Sequence, residues 1–125
     1  MTESTAAGLR LYAIIRGDLE MPAGKAASQA GHAFLDSYIS ADQELRDIYR
    51  LDGHGTKVAL VALDLAAIER AHADAKRLLL PCALVTDSGH VLPPHFDGSP
   101  VVTAPGIGPV TRWQAAEITD RFTLM

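Results

Sequence analysis

The sequence predicts an α/β sandwich, in which helices pack on the faces of a β-sheet. Residues 25–40 are rich in alanine and favour a helix. Residues 56–63 are almost continuously apolar, which is typical of a strand covered on both faces. Strands and helices then alternate along the chain, an order that places helices against the sheet.

The first half of the chain predicts one strand followed by two helices. The segment Leu9–Arg16 is rich in β-branched and aromatic residues and is predicted to be a strand. Glycine and proline then mark a loop, the helix over residues 25–40 follows, and the apolar residues of 41–51 recur at helical spacing. The glycines of residues 52–55 predict a turn before the strand at residues 56–63.

The second half predicts a helix, two strands and a last helix. Asp64 is a candidate N-cap for a helix over residues 65–79. Short strands are expected at 81–86 and 100–104, a long loop at 87–99 and a tight turn at 105–109. Thr111 and Gln114 have the spacing of a capping box, which predicts a helix to about Arg121. The predicted order is therefore β-α-α-β-α-β-β-α.

Composition bounds the cellular setting and the partners. The chain has 125 residues, 48% of them hydrophobic and 21% charged, as expected for one globular domain at 9–125 after a disordered tail at 1–8. The sequence has no apolar run of membrane-spanning length and no signal-peptide pattern, and the single cysteine excludes an internal disulfide, so we expect a cytoplasmic protein. The net charge of −4, taken alone, argues against nucleic acid as a partner.

One face of the helix at residues 25–40 carries an unusual mixture of polar groups. At 100° per residue, Lys25, Gln29, His32 and Asp36 fall within an arc of roughly 60°. The arc predicted to face the core is lined by Ala26, Ala27, Ala30, Ala33, Phe34 and Tyr38. The polar face is either a solvated surface or a site, and a lysine in a first turn, where acidic residues are preferred, favours the site.

Several of these residues resemble the motifs of the type 2 peptidyl-tRNA hydrolase family. Arg16-Gly-Asp18 at the end of the first strand is followed by a helix that reads Gly-Lys25-Ala-Ala-Ser-Gln29-Ala-Gly-His32-Ala. The later elements that match are Lys57-Val58, Leu80-Pro81, Thr86-Asp87-Ser88-Gly89 and Gly106-Ile107-Gly108-Pro109. The resemblance runs from about Leu11 to the C-terminus.

The resemblance implies a fold, a reaction and a partner. The fold would be a three-layer sandwich with a four-stranded mixed sheet and helices on both faces. The reaction would be hydrolysis of the ester that joins a peptide to tRNA, which recycles tRNA for translation and uses no metal or organic cofactor. The acidic chain would then meet the acceptor end of tRNA over a small footprint, through a local positive patch for which Arg16, Lys25 and Arg112 are candidates.

The resemblance also implies the site residues. Lys25, Gln29, His32 and Asp87 match positions of the family's catalytic site. Lys25 would bind phosphate or polarise the ester carbonyl, His32 would act as a base, Asp87 would orient water or hold Lys25, and Gln29 would position a carbonyl. The substrate-binding candidates are Arg16, Asp18, Ser88 and His90.

The chain departs from the family pattern after Gly89. The family continues with Arg-Thr-Gln, whereas this chain has His90-Val91-Leu92 and a longer loop. Ser88 and Thr103 are the candidates for the hydroxyl that Val91 lacks. The alternative function is therefore a protein of the same fold that binds or regulates, or that hydrolyses another acyl substrate. No metal site is expected, because His90 and His95 have too few neighbouring ligands. A homodimer is possible.

Overall fold

The computed structural model describes residues 8–51 and 53–125. The predicted tail, apart from Gly8, and residue 52 of the predicted turn lie outside the described residues. The strands are β1 (Leu9–Arg16), β2 (Thr56–Ala62), β3 (Cys82–Asp87), β4 (Val91–Leu92), β5 (Phe96–Asp97), β6 (Val101–Thr111) and β7 (Thr123–Leu124). The helices are α1 (Ala23–Ser40), α2 (Gln43–Tyr49), α3 (Leu65–Arg77) and α4 (Arg112–Thr119).

The central sheet is mixed and has the strand order β3-β6-β1-β2-β7. β1 and β2 run parallel, and the other neighbouring pairs in this sheet are antiparallel. The prediction of an α/β fold with a mixed sheet is confirmed, but the prediction of four strands is wrong. β7 adds a fifth strand, because the last helix ends at Thr119 and the residues after it turn back to pair with β2.

The sheet is covered on both faces, as the alternation of side chains along β1 shows. Tyr12 and Ile14 belong to the core cluster that includes residues of α3 and α4. Ala13 and Ile15 belong to a second cluster on the other face, with α1. Because successive side chains of a strand point to opposite faces, one apolar strand can serve both layers. In the described part of the chain, no helix is both long and apolar enough to span a membrane.

The tight turn predicted at residues 105–109 is wrong, because these residues continue strand β6. A Cβ on Gly106 would lie 2.1 Å from the carbonyl oxygen of Ala33 in α1, so glycine lets the helix approach the strand closely. Gly108 has φ +121° and lies where the register between β1 and β6 shifts, which marks a β-bulge. Both glycines are therefore needed for close packing and a bulge in β6. The local sequence alone does not distinguish such glycines from those of a turn.

The long loop predicted at residues 87–99 contains a small hairpin. β4 and β5 pair antiparallel through Val91 with Asp97 and Leu92 with Phe96. Other predictions at element ends are confirmed. Asp64 caps α3 by accepting from the backbone of Ala67, and Thr111 and Gln114 form the capping box of α4.

The buried Tyr49 gives the fold a predictable dependence on alkaline pH. Its hydroxyl donates to the carbonyl of Thr56 at 2.8 Å, and burial raises the pKa of Tyr49 to about 12 from 10.0. The stability that the neutral, buried Tyr49 side chain contributes is fully present below pH 10 and is lost as the pH rises through 12. We expect the wild type to lose up to about 3 kcal/mol more than Tyr49→Phe over that range, measured by urea unfolding. Equal losses of unfolding free energy in the wild type and in Tyr49→Phe would contradict the raised pKa of Tyr49.

Candidate functional site

A polar cleft of about 510 Å³ opens between α1 and β3. It is lined by Gln29, His32, Asp36, Leu84, Val85, Thr86, Asp87 and Ser88. The α1 residues Gln29, His32 and Asp36 follow one another at helical spacing, and Asp87 is the last residue of β3. The predicted catalytic residues therefore come from one helix face and one strand end, as the sequence suggested.

Lys25 and Asp87 form an ion pair at this cleft. The Lys25 Nζ donates to Asp87 Oδ2 at 3.0 Å, and the two side chains are only 11% and 19% exposed. A lysine in the first turn of α1 lies close to unpaired backbone N–H groups and the positive end of the helix dipole. The carboxylate of Asp87 offsets that unfavourable placement and fixes the ammonium at the edge of the cleft.

Gln29 is a buried residue, held by a threonine of β6. It is 2% exposed, and its amide oxygen accepts from the hydroxyl of Thr103 at 2.7 Å. Thr103 is itself fully buried. With the oxygen engaged, the amide NH₂ is left as the donor of a side chain that lines the cleft.

The core-facing side of α1 is rotated from the predicted arc. Ala27 is exposed, whereas Gln29 and Ser37 are buried. Ser37 donates to the carbonyl of Gly108 at 2.7 Å, so polar groups of α1 are satisfied against β6. An apolarity pattern cannot predict this, because these partners lie more than 70 residues away along the chain.

His32 and Ser88 are exposed side chains on the wall of the cleft. His32 follows Gln29 on α1, and Ser88 follows Asp87 at the end of β3. Both can meet a bound substrate. Val91, at the position where the family pattern has threonine, is 65% exposed on β4. The hydroxyl that contacts the predicted catalytic residues belongs to Thr103, which donates to Gln29.

Arg16 and Asp18 bind each other. The Arg16 guanidinium donates to both Asp18 carboxylate oxygens, at 3.1 and 2.8 Å, and to the carbonyl of Val102 at 3.0 Å. The hydrogen bonds that Arg16 donates to the carboxylate, together with its positive charge, lower the pKa of Asp18. The positive charge of Arg16 is thus largely offset within the chain.

The positive patch suggested for Arg16, Lys25 and Arg112 does not form. Arg112 follows Thr111, which pairs with Leu9 at the start of β1, whereas Arg16 ends that strand. Arg112 is therefore at the opposite end of the sheet from the cleft. Asp87 and Asp18 offset the two remaining cations.

His90 and Phe96 enclose Lys25 from the hairpin side. His90 Nδ1 lies 2.6 Å from Lys25 Nζ, and the centre of the Phe96 ring lies 4.3 Å from the same nitrogen. Sequence reasoning assigned His90 to substrate and missed Phe96. The sequence feature that could have identified Phe96 is that it is the one phenylalanine in a predicted loop of mostly polar, glycine, proline and aliphatic residues.

Comparisons with a family model and with known proteins match almost the whole chain to peptidyl-tRNA hydrolases. Residues 9–125 match the family model described as Peptidyl-tRNA hydrolase PTH2. A peptidyl-tRNA hydrolase of Pyrobaculum aerophilum is 38% identical over 92% of this chain and 92% of its own length. One of Methanopyrus kandleri is 33% identical over 90% and 94%, and one of Methanocaldococcus jannaschii 28% identical over 94% and 100%.

Proposed function

The chain belongs to the Peptidyl-tRNA hydrolase PTH2 family, and we propose that its polar cleft is where it hydrolyses the ester of peptidyl-tRNA. The protein is a hydrolase, and its substrate is peptidyl-tRNA. The observation that carries the placement is the Lys25–Asp87 ion pair at a cleft that Gln29 and His32 also line. Between the two functions that the sequence left open, the comparisons favour hydrolysis over a binding module.

Two donors of the cleft suit the charge that develops during ester hydrolysis. Water attack turns the ester carbonyl into a tetrahedral oxyanion, which fixed donors in a partly dry site stabilise. The Lys25 ammonium is fixed by Asp87, and the Gln29 amide is fixed by Thr103. We propose that these two groups donate hydrogen bonds to the oxyanion and stabilise it.

The remaining steps move one proton and break one bond. His32 takes a proton from the attacking water, because a neutral imidazole is the usual base near neutral pH. The water oxygen bonds to the carbonyl carbon, and the bond from that carbon to the sugar oxygen of tRNA breaks. The sugar oxygen receives the proton, which releases free tRNA and a peptide acid.

Asp87 acts through Lys25 in this proposal. The sequence left two roles open, orienting water or holding Lys25, and the 3.0 Å ion pair supports the second. We also propose that the reaction needs no metal ion. The support is that the Lys25 ammonium already places a positive charge beside Asp87.

Turnover of N-acetyl-aminoacyl-tRNA tests the function directly. The purified protein should release N-acetyl amino acid and free tRNA over many turnovers, and added uncharged tRNA should compete. Release at the uncatalysed rate would overturn the proposed function. The homodimer and the cytoplasmic location stay predictions.

Contact with tRNA is expected to be brief and to involve few phosphates. The net charge is −4, and the cations of Arg16 and Lys25 are offset by Asp18 and Asp87. Each phosphate that a protein neutralises adds about 0.7–0.9 to the slope of log affinity against log salt. We expect 1/KM, measured between low and physiological salt, to fall with a slope of about 2 or less. A slope near 6 would contradict the small footprint.

Thr103→Val should lower kcat while KM changes little. Valine keeps the shape of threonine but removes the hydroxyl that fixes the Gln29 amide oxygen. Loss of one such hydrogen bond corresponds to about a tenfold drop. Thr119→Val is the matched control, since Thr119 is also buried and donates only within α4. Equal kinetics for Thr103→Val and the wild type would contradict the positioning role.

A further inference from the structure

We propose that His90 is a positioning residue for Lys25, carried by the hairpin that follows Gly89. Residues 88–99, which include β4 and β5, are called the Lys25 strap here. The inference rests on the proposed function, because it concerns the lysine assigned to the reaction. In this proposal His90 contacts Lys25, whereas the sequence analysis predicted that His90 binds the substrate.

The contact between His90 and Lys25 defines the proton positions. An ammonium only donates, so His90 Nδ1 at 2.6 Å must accept. The imidazole is then neutral and carries its proton on Nε2. Lys25 gives one N–H to Asp87 and a second to His90, and the ion pair with Asp87 keeps the three groups neutral in total.

Phe96 forms the third wall around the ammonium. The side chain is 3% exposed, and its ring face lies 4.3 Å from Lys25 Nζ. A cation at this distance from an aromatic face is attracted to the ring, more strongly where water is excluded. The rings of His90 and Phe96 lie 6.0 Å apart, so the two strap residues also contact each other.

The strap is closed by its own backbone and side chains. Gly89 donates to the carbonyl of Gly98 at 2.9 Å, and Phe96 pairs with Leu92 across the hairpin. Asp97 accepts from the backbone and the hydroxyl of Ser99. These contacts fix the register of the hairpin, and the register sets which strap residues meet Lys25.

The chemistry of the imidazole is the reason for assigning this role. An arginine guanidinium in place of His90 would have no acceptor for a lysine N–H. A neutral imidazole accepts, so the same position attracts the ammonium instead of repelling it. Lys25 is consequently held from three sides and does not lose its side-chain freedom at the moment of reaction.

Substitutions of His90 separate the role of each ring nitrogen. In His90→Asn the amide oxygen can take the place of Nδ1, whereas in His90→Gln it can take only that of Nε2. We expect His90→Ala and His90→Gln to lower kcat about tenfold with KM within about twofold, and His90→Asn to keep most of the wild-type kcat. His54→Ala, in an exposed turn far from the strap in sequence, is the matched control.

The position of the Lys25 ammonium can be followed without turnover. A lysine ammonium gives a sharp ¹H–¹⁵N signal only when its protons are sheltered and hydrogen bonded. The Lys25 signal, assigned by its loss in Lys25→Met, should be present in the wild type and His90→Asn and broadened in His90→Ala and His90→Gln. If the wild type proved inactive, this measurement alone would still decide the positioning role.

Three results would overturn the inference. The first is wild-type kcat and a sharp Lys25 signal in His90→Ala. The second is an equal loss of kcat in all three His90 variants, asparagine included. The third is a rise in KM with unchanged kcat, which would make His90 a substrate contact as the sequence suggested.

Discussion

Lys25→Met should lower kcat/KM for N-acetyl-aminoacyl-tRNA by about a thousandfold, the largest loss expected from any single substitution in this protein. Methionine keeps the length and apolar stem of lysine but removes the charge that faces the developing oxyanion. The loss should appear mainly in kcat, because the interaction strengthens as the carbonyl becomes an oxyanion. Steady-state release of free tRNA is the measurement.

The control for this substitution is Lys76→Met. Lys76 is an exposed lysine in the last turn of α3 and lies on the face of the sheet opposite α1. We expect wild-type kinetics for it. Equal kcat/KM for Lys25→Met and Lys76→Met would remove Lys25 from the reaction.

Asp87→Asn should lower kcat/KM by about a hundredfold, through its effect on Lys25. Asparagine is nearly the same size and can still accept a hydrogen bond, but it leaves the mostly buried ammonium without its counter-charge. A charge that loses its partner in a partly buried place is unstable there, so Lys25 should turn towards water. The Lys25 ammonium signal should broaden in the same variant.

Asp120→Asn provides the comparison for Asp87. Asp120 is exposed at the end of α4, and the substitution makes the same change in charge on the face of the sheet opposite α1. It should keep wild-type rates. If Asp87→Asn lost activity while the Lys25 signal stayed sharp, Asp87 would act on water and not on Lys25.

The sequence predicted the relative positions of those site residues that lie on a single helix. Lys25, Gln29 and His32 lie on the same side of α1 because they follow helical spacing, and that spacing is a local property. The placement of Asp87 beside them needed the motif resemblance, since 62 residues separate it from Lys25.

The parts that were not predicted depend on contacts between distant segments. The burial of Gln29 depends on Thr103 of β6, and the apolarity of α1 gives no sign of that partner. The glycines of β6 resemble turn formers, but Gly106 is needed because the backbone of Ala33 lies against it. Phe96 reaches Lys25 only after the hairpin has formed.

The double-mutant cycle of Lys25→Met and Asp87→Asn tests the central claim most directly. The claim is that the two residues act as one unit, in which Asp87 serves only to hold Lys25 at the ester. Residues that act as a unit give non-additive losses. We expect the double variant to have about the same kcat/KM as Lys25→Met alone. A loss equal to the product of the two single losses would contradict it.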